Sequence, residues 1–527
     1  MGRQEVNISI IIQQNIVAYS PDNSRLAKNT ILLYFRMALM MCINLYTSRI
    51  VLHTLGVEDF GIYNVVGGVV VMIGFINDSM TASTQRFLSF ELGAGNKQKL
   101  REVFATSINI HLIISLLIVL IGETVGLWFL HEKMIIPPER MTAAEWCLQL
   151  SIFTAVLNVL SYPYISAIIA HEKMSSFAYI AILDAVLKLL LVYLLLVFDY
   201  DRLIFYAILY AAEKLLIRLI YNIYCVRNFD ECKYRWFYRK DLFKEMASFA
   251  GWKMWGELAT AFYTQGLDIL LNVFFGPVVN AARAAAAYVQ IAVGHFASNF
   301  QTAINPQIMK TYASDQLNET HQLIYKGSRL TFCLLLTICL PLIIETSTIL
   351  GIWLKEVPEG SVVFLRLLLV ILIVRQSTSV LVTAVAATGN IKKYEITMGI
   401  LMLSILPIAY VVLKMGGSPW SAFVVFLVIV IIGYFVSLYI ILPQISLSLK
   451  DYIRFSIKRC LLVLVLSLIV PLLLKFLLDE NLFLSIVNII LSVICTSIIS
   501  FEFGLEAAER RAVTYKVKSI VSKYSKK

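Results

Sequence analysis

Long apolar runs recur along this 527-residue chain from about residue 30 to residue 503, with no long polar interval between them. A membrane-spanning helix needs about 20 mostly apolar residues. Hydrophobic residues make up 59% of the chain and charged residues 15%, against about 45–50% and about 25% in soluble domains. The sequence therefore predicts an all-α polytopic membrane protein. It excludes a soluble enzyme, a nucleic-acid-binding protein and a receptor with a single membrane anchor.

We count about fourteen predicted spans, numbered 1 to 14 in chain order. Span 6 is interrupted by charged residues, and spans 7 and 8 are only weakly hydrophobic, so hydropathy alone could miss them. Their centres lie near residues 42, 71, 117, 156, 188, 213, 260, 292, 340, 373, 404, 430, 468 and 492.

The distribution of basic residues predicts the orientation of these spans. Of the 45 Lys and Arg residues, 30 lie at the termini and in connectors after even-numbered spans, and ten lie within spans. The connectors after odd-numbered spans contain five, Lys133, Arg140, Arg202, Lys355 and Lys414. Because basic residues accumulate on the cytoplasmic side, both termini are predicted to be cytoplasmic.

An internal repeat divides the chain. Gly56 and Gly276 follow spans 1 and 7 and are 220 positions apart, as are Gln85 and Asn305 near the ends of spans 2 and 8. Six spans per repeat give two lobes related by a pseudo-twofold axis along the membrane normal, an architecture typical of carriers. The predicted units are a cytoplasmic N-terminal segment, the N-lobe, a cytoplasmic linker, the C-lobe, spans 13 and 14, and a basic cytoplasmic tail, at 1–28, 29–228, 229–244, 245–445, 446–504 and 505–527.

Polar residues inside spans 1, 2, 7 and 8 fall on helix faces with a spacing of three or four residues. We expect them to line a hydrophilic cavity, although satisfied packing pairs would give the same pattern. Spans 13 and 14 show almost no such face. The stripe of span 7 contains Lys253, Glu257, Thr260, Thr264 and Asp268; that of span 8 contains Arg283, Gln290, Gly294, Gln301 and Asn305; span 2 contributes Asp78.

The basic residues of these stripes would suit an anionic substrate, because arginine can bind phosphate oxygens in pairs. The substrate-binding candidates are Arg36, Arg49, Lys253, Arg283, Gln290 and Gln301. The acidic candidates are Asp78, Glu257 and Asp268, which could be counter-ions or ion-coupling sites. Lys253 and Glu257 could also neutralise each other within span 7. We predict no catalytic residue, metal site or cofactor, since the six histidines are scattered and no phosphate-binding loop is present.

Two segments carry a family resemblance: the stretch at 55–64, LGVEDFGIYN, and the stretch at 83–93, STQRFLSFELG. Together with the Asn305-Pro306-Gln307 segment, they resemble the polysaccharide transport family of O-antigen flippase type. That family belongs to the multidrug/oligosaccharidyl-lipid/polysaccharide exporter superfamily. The resemblance implies alternating-access transport of undecaprenyl-pyrophosphate-linked oligosaccharide across the bacterial inner membrane. It maps a cationic cavity onto Arg36 or Arg49, Lys253 and Arg283.

The resemblance also implies partners: the lipid-linked oligosaccharide, membrane lipids, and the glycan polymerase and glycosyltransferases of the same pathway, with no nucleic acid. One alternative function is a multidrug or cation antiporter of the same superfamily. A membrane glycan polymerase or ligase is a further alternative, but the short outward connectors offer little room for a catalytic site.

Overall fold

A computed structural model describes residues 32–514 apart from short internal gaps. The gaps are 41–42, 44–45, 48–49, 52–53, 56–58, 60–61, 64–73, 133–135, 198–200, 355–356, 478–480, 508 and 512–513. For residues 74–78 the backbone is described without the side chains. The predicted N-terminal segment at 1–28 and the part of the tail beyond residue 514 lie outside the described residues.

The described chain is helical and contains no strand, which confirms the predicted fold class. Each helix carries the number of the predicted span that it contains. Helices 2 to 14 are Gly74–Gly93, Lys97–Glu132, Pro138–Ala170, Met174–Val197, Arg202–Asn228, Lys240–Phe275, Pro277–Ala313, Leu317–Ile344, Ser361–Thr388, Lys392–Lys414, Ser421–Gln444, Leu449–Phe476 and Leu482–Gly504, and a short helix, Thr346–Trp353, follows helix 9.

Ten of these helices are long and apolar enough to cross a membrane. The other three, helices 2, 6 and 8, are the ones that carry many polar or charged residues. They nevertheless lie within the bundle, because each packs against apolar neighbours of its own lobe. The polytopic membrane architecture is therefore confirmed, and the interruptions of hydropathy mark interior-facing helices.

Helix packing repeats between the two lobes with a shift of six helices. Helix 2 packs on helices 3 and 4, helix 4 on helices 3 and 6, and helix 5 on helix 6. In the second half, helix 8 packs on helices 9 and 10, helix 10 on helices 9 and 12, and helix 11 on helix 12. The same pairings in both halves give the two lobes that the repeat predicted.

The repeat extends to the turns that end the helices. The left-handed residues Gly95 and Asp315 follow helices 2 and 8 and are 220 positions apart. After each, a backbone N–H reaches a carbonyl five residues back, from Asn96 to Glu91 at 3.1 Å and from Gln316 to Thr311 at 3.0 Å. This bond satisfies a helix carbonyl that would otherwise lack a partner.

Helices 13 and 14 lie outside the repeat and pack against helix 9 of the C-lobe. Near one end of the contact, the fully buried Arg329 donates to the Phe455 carbonyl at 2.8 Å and to Glu506 at 2.9 Å. It also donates to both carboxylate oxygens of Glu509 at 3.1 Å. Phe455 lies in the π-helical turn Ile453–Ile457 of helix 13, and such a turn breaks the regular i→i−4 pattern and leaves carbonyls available.

At the other end of helix 9, the buried Glu345 accepts a hydrogen bond from Asn488 of helix 14 at 2.8 Å. Asn488 belongs to a buried polar face, which corrects the expectation that span 14 has almost none. That face consists of Ser485, Asn488, Ser492 and Thr496. Small hydroxyl residues barely lower hydropathy, and Ser492 satisfies its hydroxyl on its own helix, at the Asn488 carbonyl.

Removing the buried guanidinium should destabilise the protein, because Glu506 and Glu509 would lose their partner. We expect Arg329→Met to cost about 3–5 kcal/mol of folding free energy, measured as a lower melting temperature of the detergent-purified protein. The matched control is Arg510→Met, which breaks an ion pair with Glu502 between half-exposed side chains and should cost less than about 1 kcal/mol. Equal shifts for the two variants would contradict this role of Arg329.

Candidate functional site: a C-lobe cavity and an arginine-containing N-lobe interior

A cavity of about 510 Å³ opens inside the C-lobe, between helices 7, 8, 10, 11 and 12. Helix 7 contributes Lys253, Glu257 and Thr260 from its predicted stripe, and helix 8 contributes Gln290 and Gln301. The polar residues that line it from helices 10, 11 and 12 are Arg375, Gln376, Thr378, Ser379, Thr383, Tyr394, Glu395, Tyr434 and Ser437. The stripes thus reach one cavity, but helices of a single lobe enclose it.

Lys253 pairs across the cavity wall with Glu395 of helix 11, with Nζ and Oε1 2.7 Å apart. Helical spacing had suggested Glu257, four residues further along the same helix, as the partner of Lys253. In the structure the Glu257 side chain is exposed. Glu395 is buried and approaches helix 7 at Gly256, where a Cβ would overlap its carboxylate. Sequence reasoning missed Glu395, because its partner lies on a helix about 140 residues away.

Amide and hydroxyl side chains form a network along helices 8 and 10. Gln301 donates to the Gln376 side chain at 2.9 Å and also to the Ser379 hydroxyl. Thr383 donates to the Asn305 side chain at 2.9 Å. Gln290 lines the same cavity and makes no hydrogen bond within the described part of the chain. The cavity therefore presents neutral groups that can both donate and accept hydrogen bonds.

Two further predicted residues meet each other outside this cavity. Arg283, near the start of helix 8, donates to Asp268, near the end of helix 7, at 2.6 Å. Asn280 also donates to the Asp268 backbone carbonyl at 3.1 Å. This cation therefore has a carboxylate partner, as Lys253 does.

In the N-lobe, Arg36 is the predicted cation that the structure describes; Arg49 and the side chain of Asp78 lie outside the described residues. Tyr34 donates to the Phe296 carbonyl of helix 8 at 3.1 Å, so the face of span 1 that carries Tyr34 meets the C-lobe. Two residues further on, about 200° around the helix, Arg36 points into the N-lobe. Its guanidinium lies 4.3 Å from the centroid of the Phe177 ring.

A second arginine lies in the same N-lobe interior, and sequence reasoning did not select it. The Arg218 guanidinium of helix 6 lies 4.4 Å from the Tyr164 ring centroid of helix 4. Nε of Arg36 and Nη1 of Arg218 are buried and have no hydrogen-bond partner among the described residues. Neither side chain forms an ion pair within that part of the chain. The charged residues that interrupt span 6 were the sequence signal that could have selected Arg218.

Helices 5 and 6 also bury a compact charge cluster. Lys214 lies 2.6 Å from Asp184 and 3.3 Å from Glu213, and Lys188 lies 2.8 Å from Asp184. The formal charges of these two lysines and two carboxylates cancel. Arg36 and Arg218 therefore add uncompensated positive charge to the described N-lobe interior.

The two lobes touch closely where helices 2 and 8 end. At Gly93 a Cβ would overlap the Lys310 backbone, and the Ser314 hydroxyl donates to the Gly93 carbonyl at 2.6 Å. Lys310 also pairs with Glu172, after helix 4, at 2.6 Å. These contacts hold the lobes together beside the even-numbered connectors.

Arg86 of helix 2 adds a second contact on that side. It donates to the carbonyls of Ala386 and Ala387 in helix 10 at 3.1 and 3.2 Å. Its guanidinium lies over the Phe87 and Phe90 rings, at 4.3 and 5.1 Å from their centroids. The lobes are thus closed on the side that the basic residues predict to be cytoplasmic.

Comparisons with known proteins bear on this two-lobed bundle. Residues 33–194 match the family model for MatE. This part of the chain is therefore similar to MatE proteins. The match covers most of the N-lobe, and solved structures extend the shared fold over the C-lobe. Comparison with curated protein sequences gives no significant match.

Three solved structures represent this fold similarity. An outward-facing multidrug resistance MATE family transporter of the MOP superfamily has a TM-score of 0.69 and 12% identity, over 80% of this chain and 95% of that one. A MOP superfamily transporter from Pyrococcus furiosus, described as having a binding pocket of reverse polarity, has a TM-score of 0.65 and 13% identity, over 80% of this chain and 95% of that one. The Vibrio cholerae MATE transporter VcmN in its bent form has a TM-score of 0.62 and 16% identity, over 82% of this chain and 98% of that one.

A methyl group at the lobe contact should destabilise the protein. Because a Cβ at Gly93 meets the backbone of Lys310 and cannot be relieved by a rotamer change, Gly93→Ala should cost about 1–3 kcal/mol. The control is Gly251→Ala on helix 7, where nothing lies within 4 Å of the added Cβ; it should be neutral or stabilising by about 0.5–1 kcal/mol. Thermal unfolding in detergent measures both, and an unchanged melting temperature for Gly93→Ala would contradict the close approach.

Proposed function

We propose that this protein is a transporter of the MatE type that moves amphiphiles with an anionic headgroup, with undecaprenyl-pyrophosphate-linked oligosaccharide as the substrate. The observation that carries the proposal is a pair of N-lobe arginines, Arg36 and Arg218, that have no ion-pair partner among the described residues. A charged side chain inside a membrane protein is costly and is retained where it serves a pathway or a ligand.

The chemistry of the two guanidiniums fits a pyrophosphate. Arginine presents a planar set of N–H donors that can bind two phosphate oxygens at once. Both guanidiniums lie over aromatic rings, which partly stabilise the cations by cation–π attraction while leaving their edges free. The same edges carry the N–H groups that lack a partner within the described chain. An anion entering the N-lobe would supply the missing acceptors.

The proposed transport cycle follows from the two lobes. Opening of the contacts at Gly93 and Arg86 would admit the headgroup from the cytoplasmic leaflet, while the polyprenyl chain stays in lipid. Rocking of the lobes would then expose the headgroup to the opposite side. We place the protein in a bacterial inner membrane with both termini cytoplasmic. Its partners would be the glycosyltransferases that supply the lipid-linked unit and the polymerase that consumes it.

Multidrug or cation antiport is the second candidate function, and the similarity to the structure of a multidrug resistance MATE family transporter favours it over glycolipid transport. A cationic drug would need an accessible acid. Glu395 and Asp184 are already paired with lysines at 2.7 Å and 2.6 Å, whereas Glu257 faces the C-lobe cavity without an ion-pair partner among the described residues. The charge pattern of the N-lobe is why we rank an anionic substrate first.

Neutralising Arg36 and Arg218 distinguishes glycolipid transport from multidrug or cation antiport. In proteoliposomes, the double variant Arg36→Gln, Arg218→Gln should slow translocation of an undecaprenyl-pyrophosphate-linked oligosaccharide at least about tenfold, because each lost charged hydrogen bond contributes roughly 1.5–3 kcal/mol. Arg36→Lys should keep part of the activity, since it retains charge without the paired donors.

The matched control is Arg366→Gln on helix 10, which removes an exposed cation outside the cavity and should leave transport within about twofold. Ethidium export by the same vesicles is the second readout. Unchanged glycolipid translocation together with altered ethidium export in the double variant would reject our proposal and support the antiporter.

A further inference from the structure

We propose that the C-lobe cavity binds the uncharged, hydroxyl-bearing part of the substrate, and that Glu395 determines this specificity by cancelling the charge of Lys253. The inference rests on the proposed function, in which the transported amphiphile carries sugars. It divides the substrate between the lobes, with the anionic group at the N-lobe arginines and the neutral glycan in the C-lobe.

The charge balance of the cavity is the first argument. Four charged side chains line it, Lys253, Glu257, Arg375 and Glu395, and their formal charges sum to zero. The Lys253 ammonium is held by Glu395 at 2.7 Å, and Arg375 donates to the Tyr263 hydroxyl at 2.7 Å. An anion entering this cavity would have to compete with a preformed carboxylate partner, so the cavity disfavours anions.

The neutral lining is the second argument. Amide and hydroxyl groups can donate and accept hydrogen bonds in the same place, as the hydroxyls of a sugar do. Gln301 and Gln376 are linked to each other and to Ser379, which fixes their orientation. Gln290 and Thr260 line the same space, and Gln290 makes no hydrogen bond within the described chain. The volume of about 510 Å³ lies in the range of small-molecule sites, about 300–1,000 Å³.

The position of Glu395 is the third argument. Its side chain is only 7% exposed, and the Lys253 side chain beside it is 21% exposed. Because Gly256 has no side chain, the carboxylate fits against helix 7 and stays within reach of the ammonium. Removing its charge would take away the present partner of Lys253 and leave the cavity with a net positive charge, which favours an anion. Rejection of an anion by a fixed carboxylate is a usual source of specificity.

The test measures binding to the purified full-length protein in a detergent without a sugar headgroup, by isothermal titration calorimetry. The neutral probe is maltotriose and the anionic probe is inorganic pyrophosphate. We expect the unmodified protein to bind maltotriose, and Gln290→Leu to weaken that binding about fivefold through the loss of one hydrogen-bonding group. Arg366→Gln is the control and should leave maltotriose binding unchanged.

Charge variants test the role of Glu395. Glu395→Gln should strengthen pyrophosphate binding at least about tenfold, because the cavity lining then carries a net positive charge and Lys253 has lost its present partner. The double variant Lys253→Met, Glu395→Gln is neutral again and should lose that gain, while each variant should bind maltotriose within about twofold of the unmodified protein. The double variant also guards against misfolding, since it leaves no unpaired buried charge.

Three results would overturn the inference: no maltotriose binding by the unmodified protein, no gain of pyrophosphate binding in folded Glu395→Gln, or loss of pyrophosphate binding in Lys253→Met alone. The last would mean that Lys253 serves an anion in the native cavity. These outcomes are distinct from failure of the proposed function, which is read from glycolipid translocation after substitution of Arg36 and Arg218 in the other lobe.

Discussion

A charge held inside an apolar environment needs a compensating partner, and this constraint organises most of the polar contacts of the bundle. In the C-lobe, Lys253 is compensated by Glu395 and Arg283 by Asp268. In the N-lobe, the lysines of helices 5 and 6 are compensated by Asp184 and Glu213. Against this pattern, the two N-lobe arginines stand out, because within the described chain only aromatic rings face their guanidiniums. This difference between the lobes supports the proposal that the substrate is anionic.

The same constraint explains how the extra helices are attached. Arg329 of helix 9 and Glu345, which directly follows this helix, are 16 residues apart, about 24 Å along the helix axis. Each binds polar groups of helices 13 and 14 or of the segment that follows them. Both sets of contacts therefore join helices 13 and 14 to the same part of the C-lobe. Helices 13 and 14 should therefore move with the C-lobe as one body when the lobes rock, and the contacts at Gly93 and Arg86 are the ones that must break.

The sequence predicts much of this fold, because the relevant signals are local. Span centres follow from apolar runs, and the two lobes follow from a repeat that the structure reproduces in its turns, at Gly95 and Asp315. Individual ion pairs could not be predicted in the same way. Lys253 of helix 7 pairs with Glu395 of helix 11, whereas helical spacing in the sequence indicates only Glu257 as a partner. The polar face of helix 14 was missed because Ser and Thr lower hydropathy little while supplying hydroxyls to a packed interface.

The placement of the arginines relates the site to the closed side of the lobes. Arg36 lies in span 1 close to the predicted N-terminal segment, Phe177 near the start of helix 5 and Tyr164 near the end of helix 4, all on the side of the N-terminal segment and the even-numbered connectors. The lobe contacts at Arg86 and Lys310 lie on that same side. In this conformation the lobes are therefore closed on the side toward which the N-lobe cations lie. If the protein transports an anionic headgroup as proposed, opening of the lobe contact and exposure of the arginines would be one event, and the headgroup would reach its counter-charges only after the lobes have opened toward it.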